Sequence, residues 1–134
     1  SVVEVSAPTV LEPGHAYIAQ GDADMIVSRR AKRLIAMPAP AGPNWLWHPS
    51  VDRLVRTALD HVVASKLVGV LLTGMGYDGA DAMAMVKAAG GYTIAEAEES
   101  AVVWGMPGEL VKRGGASAVL PVDRIAAAML ESVV

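Results

Sequence analysis

One stretch limits what this chain can fold into more than any other: Val70-Leu71-Leu72-Thr73-Gly74-Met75-Gly76-Tyr77-Asp78-Gly79. An apolar run stops at a glycine-dense turn, and the helix-forming segment Ala80-Asp81-Ala82-Met83-Ala84-Met85-Val86-Lys87 follows. A buried strand, a tight loop and a helix start, in that order, form the unit at whose loop α/β proteins place ligands and catalytic groups. The loop contains G-x-G-x-x-G (Gly74, Gly76, Gly79), which points to a dinucleotide, and a carboxylate, Asp78, which points elsewhere.

The flanking sequence extends the pattern. Val51, Leu54, Val55, Ala58, Leu59, Val62 and Val63 fall at helical spacing behind Ser50, a suitable N-cap. Leu67 to Leu72 reads as a strand, and about Gly79 to Ala89 as a helix closed by Gly90-Gly91. Tyr92 to Ala95 is a strand, Pro107 to Arg113 a short helix, Ala118 to Leu120 a strand, and Asp123 to Glu131 a helix capped by Asp123. The first third reads as β structure: Val2 to Val5, His15 to Ala19, and a hairpin of Met25 to Ser28 and Arg33 to Ala36 around a cationic tip. Pro38, Pro40, Gly42 and Pro43 predict a loop outside regular structure. These elements predict an α/β, doubly wound fold: a mostly parallel sheet with helices on both faces and an antiparallel hairpin edge.

Composition removes several classes of function. At 134 residues, 53% hydrophobic and 19% charged, the chain is long and apolar enough for one folded domain. The absence of cysteine excludes disulfides, thiolate catalysis and cysteine-ligated metal. A formal charge of −3 leaves no basic footprint for nucleic acid, Arg29-Arg30-Ala31-Lys32-Arg33 being the one cationic cluster. The apolar runs are too short for membrane insertion, and Glu4 and Glu12 break any signal pattern, so a cytoplasmic location is expected.

The glycine loop admits three readings. A Rossmann-like nucleotide-binding module needs the glycine fingerprint and an acidic residue about 20 residues on, which Glu96 supplies after Thr93-Ile94-Ala95. Against it, Asp78 would repel a pyrophosphate at low effective dielectric, and only about one βαβ unit follows. A hydrolase needs a carboxylate at the carboxyl edge of a parallel sheet to orient a histidine, and Asp78 has that placement. The purely structural reading makes Asp78 the N-cap of the following helix. His15, His48 and His61 and the capping Ser50 give no self-contained triad by spacing. No metal site is expected: Asp22-Ala23-Asp24 lacks the later ligands of a calcium loop, and Glu96, Glu98 and Glu99 read as a solvated turn. Met75, Met83 and Met85 read as core filling, and Trp45-Leu46-Trp47 as packing.

Several segments together carry a resemblance: Pro13-Gly14-His15-Ala16-Tyr17-Ile18-Ala19-Gln20-Gly21-Asp22, Pro49-Ser50-Val51-Asp52, Gly69 to Ala80 with its Thr-Gly-Met-Gly-x-Asp-Gly core, and Val102-Val103-Trp104-Gly105-Met106-Pro107. In this order they resemble the C-terminal part of the CheB family of chemotaxis methylesterases, nearly end to end. The resemblance implies hydrolysis of glutamate methyl esters, and deamidation of glutamines, on the cytoplasmic region of methyl-accepting chemoreceptors. It implies a serine–histidine–aspartate triad with no cofactor or metal, and a phosphorylatable receiver domain in the parent protein. Matched residue by residue, Asp78 is the triad aspartate, the backbone N–H of Met75 an oxyanion-hole donor, and Gly74, Gly76 and Gly79 the loop glycines. The family's Ser-Thr-Gly-Gly nucleophile loop and its histidine have no match in residues 1–134, which are expected to be the C-terminal portion of the catalytic domain and inactive alone. The chain departs from the family pattern at Gln20 (proline there), Asp24 (histidine), His48 (arginine), Glu96-Ala97 (glutamine, then aspartate or asparagine) and Gly108 (arginine). Beside the Rossmann-like nucleotide-binding module, a catalytically inactive, CheB-like interaction domain is the second alternative.

Overall fold

Alternating buried and exposed side chains build the first of two units, Ser1–His61, in a computed structural model that describes residues 1–133. Strand β1 (Val2–Val5) pairs in parallel with β3 (Ala16–Ala19). Strands β2 (Thr9–Val10), β4 (Ala23–Arg30) and β5 (Arg33–Pro40) form a separate antiparallel sheet in the order β2-β5-β4. The expected hairpin is present, turning through Ala31 and Lys32, both at positive φ, as a two-residue hairpin turn requires. Its strands run further than predicted: Pro38 pairs with Met25 and Pro40 with Ala23, so these prolines are not in a loop. The reason is their orientation. The Leu34 carbonyl accepts from Leu11 N–H on the β2 side, and Pro38 and Pro40, an even number of residues on, face that same side beyond the end of β2. No partner strand there needs the N–H that proline lacks.

Helix α1 (Val51–His61) packs on β4. Its start is the one predicted, with Ser50 Oγ accepting the Arg53 N–H at 3.2 Å. Val5, Met25 and Ala36 form the centre of this unit, with Leu11, Tyr17, Ala19 and Leu54 against them. Beside that core, on β4, lies Asp24, 1% exposed. Its carboxylate accepts from His48 Nδ1 at 3.0 Å, Ser50 N–H at 2.9 Å and Arg53 Nη1 at 2.8 Å. Asp24 and His48 are therefore partners. Burial alone raises the Asp24 pKa, but Arg53, His48 and the Ser50 amide outweigh it and hold the carboxyl below its ordinary value.

The second unit starts at Val62. A 3-10 turn at Ala64–Lys66 leads into β6 (Val68–Leu71), α2 (Ala80–Ala88), β7 (Tyr92–Glu96), α3 (Met106–Lys112), β8 (Ala118–Leu120) and α4 (Val122–Ser132). The strands form a parallel sheet in the order β6-β7-β8. Thr93, Ile94 and Ala95 of central β7 are each fully buried; successive side chains face opposite sides of the sheet, so both faces are covered. The helices α2, α3 and α4 all pack against β7, and α2 also packs on α3. Gly90 and Gly91 end α2 as predicted: Gly90, at φ 101°, donates to the Lys87 carbonyl and Gly91 to that of Val86, the double bond of a glycine C-terminal cap. Two boundaries differ from expectation. Helix α3 begins at Met106, and Asp123 lies inside the first turn of α4, whose N-cap is Pro121. The α/β class, the parallel strands and the hairpin are thus all present. Among the described residues, no helix is long and apolar enough to cross a membrane.

Asp24 generates a prediction about stability. Its folded pKa lies below the unfolded one, so its contribution is complete above the ordinary carboxylate range and is lost as pH falls through the lowered folded value. Asp24→Ala, which strands His48 and Arg53, should cost about 3 kcal/mol near neutrality. Thermal melts should show the variant's deficit shrinking as the solution is acidified; a deficit independent of pH would contradict the assignment.

Candidate active site

The loop between β6 and α2 carries Gly74, Met75, Gly76, Asp78 and Gly79, the residues that the resemblance matches to the family's site. It leaves the sheet after Leu71, at the carboxyl ends of the parallel strands, where open α/β sheets form their sites. Gly76 and Gly79 have φ of 92° and 90°, values that a residue with a side chain adopts only under strain. Gly79 is the N-cap of α2, with no side-chain capping bond. Asp78 is therefore not the helix cap, although its side chain is buried, at 5% exposure.

The loop is pinned from one side by the segment that precedes and opens α3. Gly74 N–H donates to the Val103 carbonyl at 3.0 Å, and the Gly74 carbonyl accepts from Gly105 N–H at 3.1 Å and Met106 N–H at 2.8 Å. Thr73 Oγ1 donates to the Val103 carbonyl and accepts from Val103 N–H. These bonds fix more than the residues that make them. The Gly74 carbonyl and the Met75 N–H belong to one planar trans peptide and point in opposite directions. With the carbonyl turned toward Gly105 and Met106, the Met75 N–H is aimed away from them. Among the described residues no acceptor is paired with that amide, and the Met75 side chain is 81% exposed. Chemically, the loop carries both a backbone donor, at Met75, and a buried carboxylate, at Asp78.

Glu96, at the end of β7, is the largest difference from the sequence reading. Rather than lying in a solvated turn it is 3% exposed. Its Oε1 accepts from Thr73 N–H and its Oε2 from Ser100 Oγ, both at 2.8 Å, while its carbonyl accepts from Trp104 Nε1 at 2.7 Å. Those bonds turn the carboxylate into the protein, so it does not present itself to a ribose as a dinucleotide site requires. Glu98 and Glu99 are exposed, as expected. Among the described residues no group of three or more His, Asp or Glu side chains could hold a metal ion.

The other candidates fall elsewhere. His15, His48 and His61 all lie in the first unit. His15 Nδ1 is 2.9 Å from the Pro13 carbonyl, its ring stacked on Tyr17, while the His61 carbonyl accepts from Arg29. Of Met75, Met83 and Met85 only Met83 is in the core, because the other two lie on the loop and the outer face of α2. Trp45 and Trp47 are half-buried and Leu46 is exposed. Glu96, Ser100 and Gly105 are the site residues that sequence reasoning missed. Gly105 had a signal in the Trp-Gly-Met-Pro segment, but what it touches is long-range.

A Cβ on Gly105 would lie 2.7 Å from the Gly74 carbonyl oxygen and 3.0 Å from the Gly76 nitrogen, both backbone atoms that cannot swing aside. Gly105→Ala should therefore destabilise the second unit by about 1–3 kcal/mol. It should also shift the Gly74 and Gly76 amide resonances; unchanged resonances would show that the contact is not as described.

Comparison with known proteins agrees with this geometry. The CheB methylesterase family model matches residues 1–129. Protein-glutamate methylesterase/protein-glutamine glutaminase 2 of Rhodopseudomonas palustris (strain BisB18) is 60% identical over 131 residues, 98% of this chain and 36% of that protein. The corresponding protein 3 of Rhodospirillum rubrum is 60% identical over 126 residues, covering 94% of this chain and 34% of its own. The chain thus spans about a third of the length of these relatives. The crystal structure of the Thermotoga maritima CheB methylesterase catalytic domain superposes with a TM-score of 0.89 at 33% identity, over 96% of this chain and 67% of that one. By sequence and by fold, the chain belongs to the CheB methylesterase family.

Proposed function

We propose that this chain forms the C-terminal portion of a CheB-type catalytic domain and supplies one third of a serine–histidine–aspartate triad and half of an oxyanion hole. The observation that carries the reading is the buried Asp78 carboxylate on the loop after β6, the same loop whose Met75 amide is turned away from Gly105 and Met106. In this reading Asp78 accepts a hydrogen bond from a histidine, fixing its tautomer and stabilising the imidazolium that forms when the serine attacks an ester carbonyl. The Met75 N–H donates to the oxyanion of the tetrahedral intermediate. Methanol leaves, water hydrolyses the acyl-enzyme, and a glutamate carboxylate remains; a glutamine substrate follows the same course with ammonia leaving. No metal or cofactor takes part. The substrate is the cytoplasmic region of methyl-accepting chemoreceptors, the enzyme is cytoplasmic, and a phosphorylatable receiver domain regulates it.

The test is a chimera in which residues 1–134 replace the matched third of the Rhodopseudomonas palustris relative. It should release methanol from a methylated chemoreceptor, whereas the 134 residues alone should release none. Asp78→Asn in the chimera should lower kcat by roughly four orders of magnitude with the fold intact. Near-normal turnover by that variant would remove Asp78 from the mechanism. Saturable binding of a nucleotide to the isolated chain would favour a nucleotide-binding module instead.

A further inference from the structure

We propose that Glu96 is a positioning residue, whose buried carboxylate sets the direction of the oxyanion-hole amide by holding the first amide of the glycine loop. Its catalytic consequence rests on the function proposed above; the positioning itself does not.

The chain leaves β6 at Leu71, and Thr73 N–H is the amide that Glu96 Oε1 captures at 2.8 Å. From there the constraint passes along the backbone: Thr73 Oγ1 is locked to Val103, and the next carbonyl, that of Gly74, to Gly105 and Met106. Met75 N–H shares a peptide plane with that carbonyl. One amide plane separates the carboxylate's hold from the proposed oxyanion donor, and its Gly74 N–H is itself bonded to the Val103 carbonyl at 3.0 Å. Val103 grips the Thr73 side chain and the Gly74 amide, whereas Glu96 holds the Thr73 amide.

Glu96 is itself held firmly. Ser100 Oγ donates to Oε2 at 2.8 Å and accepts from Val122 N–H at 2.9 Å. The hydroxyl proton is thereby committed to the carboxylate, and the chain of bonds runs from the first residue of α4 to the glycine loop. A carboxylate suits this place because it offers an acceptor to each of two donors at once. A glutamine here would offer one oxygen. Placed toward Thr73, it would keep the loop bond but turn an N–H₂ toward Ser100, whose hydroxyl would have to find another acceptor. One within reach is the Ala97 carbonyl, already 3.5 Å from Ser100 Oγ. Charge also strengthens the Thr73 bond relative to a neutral acceptor.

Amide hydrogen exchange on the 134-residue chain tests the positioning without any assay of activity. In Glu96→Ala, exchange at Thr73 should rise by about tenfold or more, while Ile94 and Ala95 in β7 and Val86 in α2 stay within about twofold of the parent. Glu96→Gln should recover most of the Thr73 protection, and Ser100→Ala should lose part of it. Unchanged Thr73 exchange in Glu96→Ala, or a rise of the same size in β7 and α2, would overturn the proposal, the second because it marks a merely structural residue. Should Glu96→Ala not fold, Ser100→Ala decides: Thr73 protection equal to the parent's would overturn it. In the chimera, Glu96→Ala should lower kcat at least about tenfold with KM little changed, as expected for loss of a contact made in the transition state. An active chimera whose kcat ignores Glu96→Ala would overturn the catalytic role. An inactive chimera would tell against the proposed function and leave the exchange result to decide the positioning.

Discussion

The backbone donor proposed for this molecule depends on one peptide plane, that between Gly74 and Met75. Its carbonyl is bonded twice, to Gly105 and Met106 N–H, and planarity then dictates where the opposite N–H points. A free glycine loop would sample many orientations and lose the entropy of ordering at each turnover. Here that ordering is completed on folding. The main-chain and side-chain bonds to Val103 and the carboxylate of Glu96 extend the same constraint upstream to Thr73.

Several of the residues singled out in the sequence are easier to understand in pairs than singly. Asp24 and His48 bond to each other, with Arg53 and the Ser50 amide completing the set. A buried carboxylate alone would be costly; paired and bonded three ways it is tolerable. A Cβ on Gly108 would meet the Trp104 ring at 2.9 Å. The indole occupies that space and donates its Nε1–H to the Glu96 carbonyl. Glu96 thus sits in the same neighbourhood as Trp104 and Gly108.

Much of the second unit was legible in the sequence because its signals are local. Glycine pairs at 90–91 end a helix wherever it is, and apolar runs such as Val68 to Leu71 bounded by turns are buried strands. The loop glycines at 76 and 79 announce positive φ in the same way. Pro38 and Pro40 misled for an equally local reason. Proline is incompatible with a strand only where its missing N–H faces a partner, and that is decided by how far β2 extends. Met75 misled because methionine is apolar, whereas its exposure follows from where the loop leaves the sheet.

The sequence by itself determined the α/β class, the strand–loop–helix unit, and Asp78 as the carboxylate to examine, since backbone stereochemistry and hydrophobic periodicity act over a few residues. Tertiary structure alone decided that Asp78 is buried one residue before the N-cap of α2, that Glu96 faces inward onto Thr73, and that Gly105 must lack a side chain. Each of those joins residues more than 20 positions apart, or turns on which way a buried group faces. Close packing and the need to satisfy every buried polar atom settle such matters only when distant segments meet.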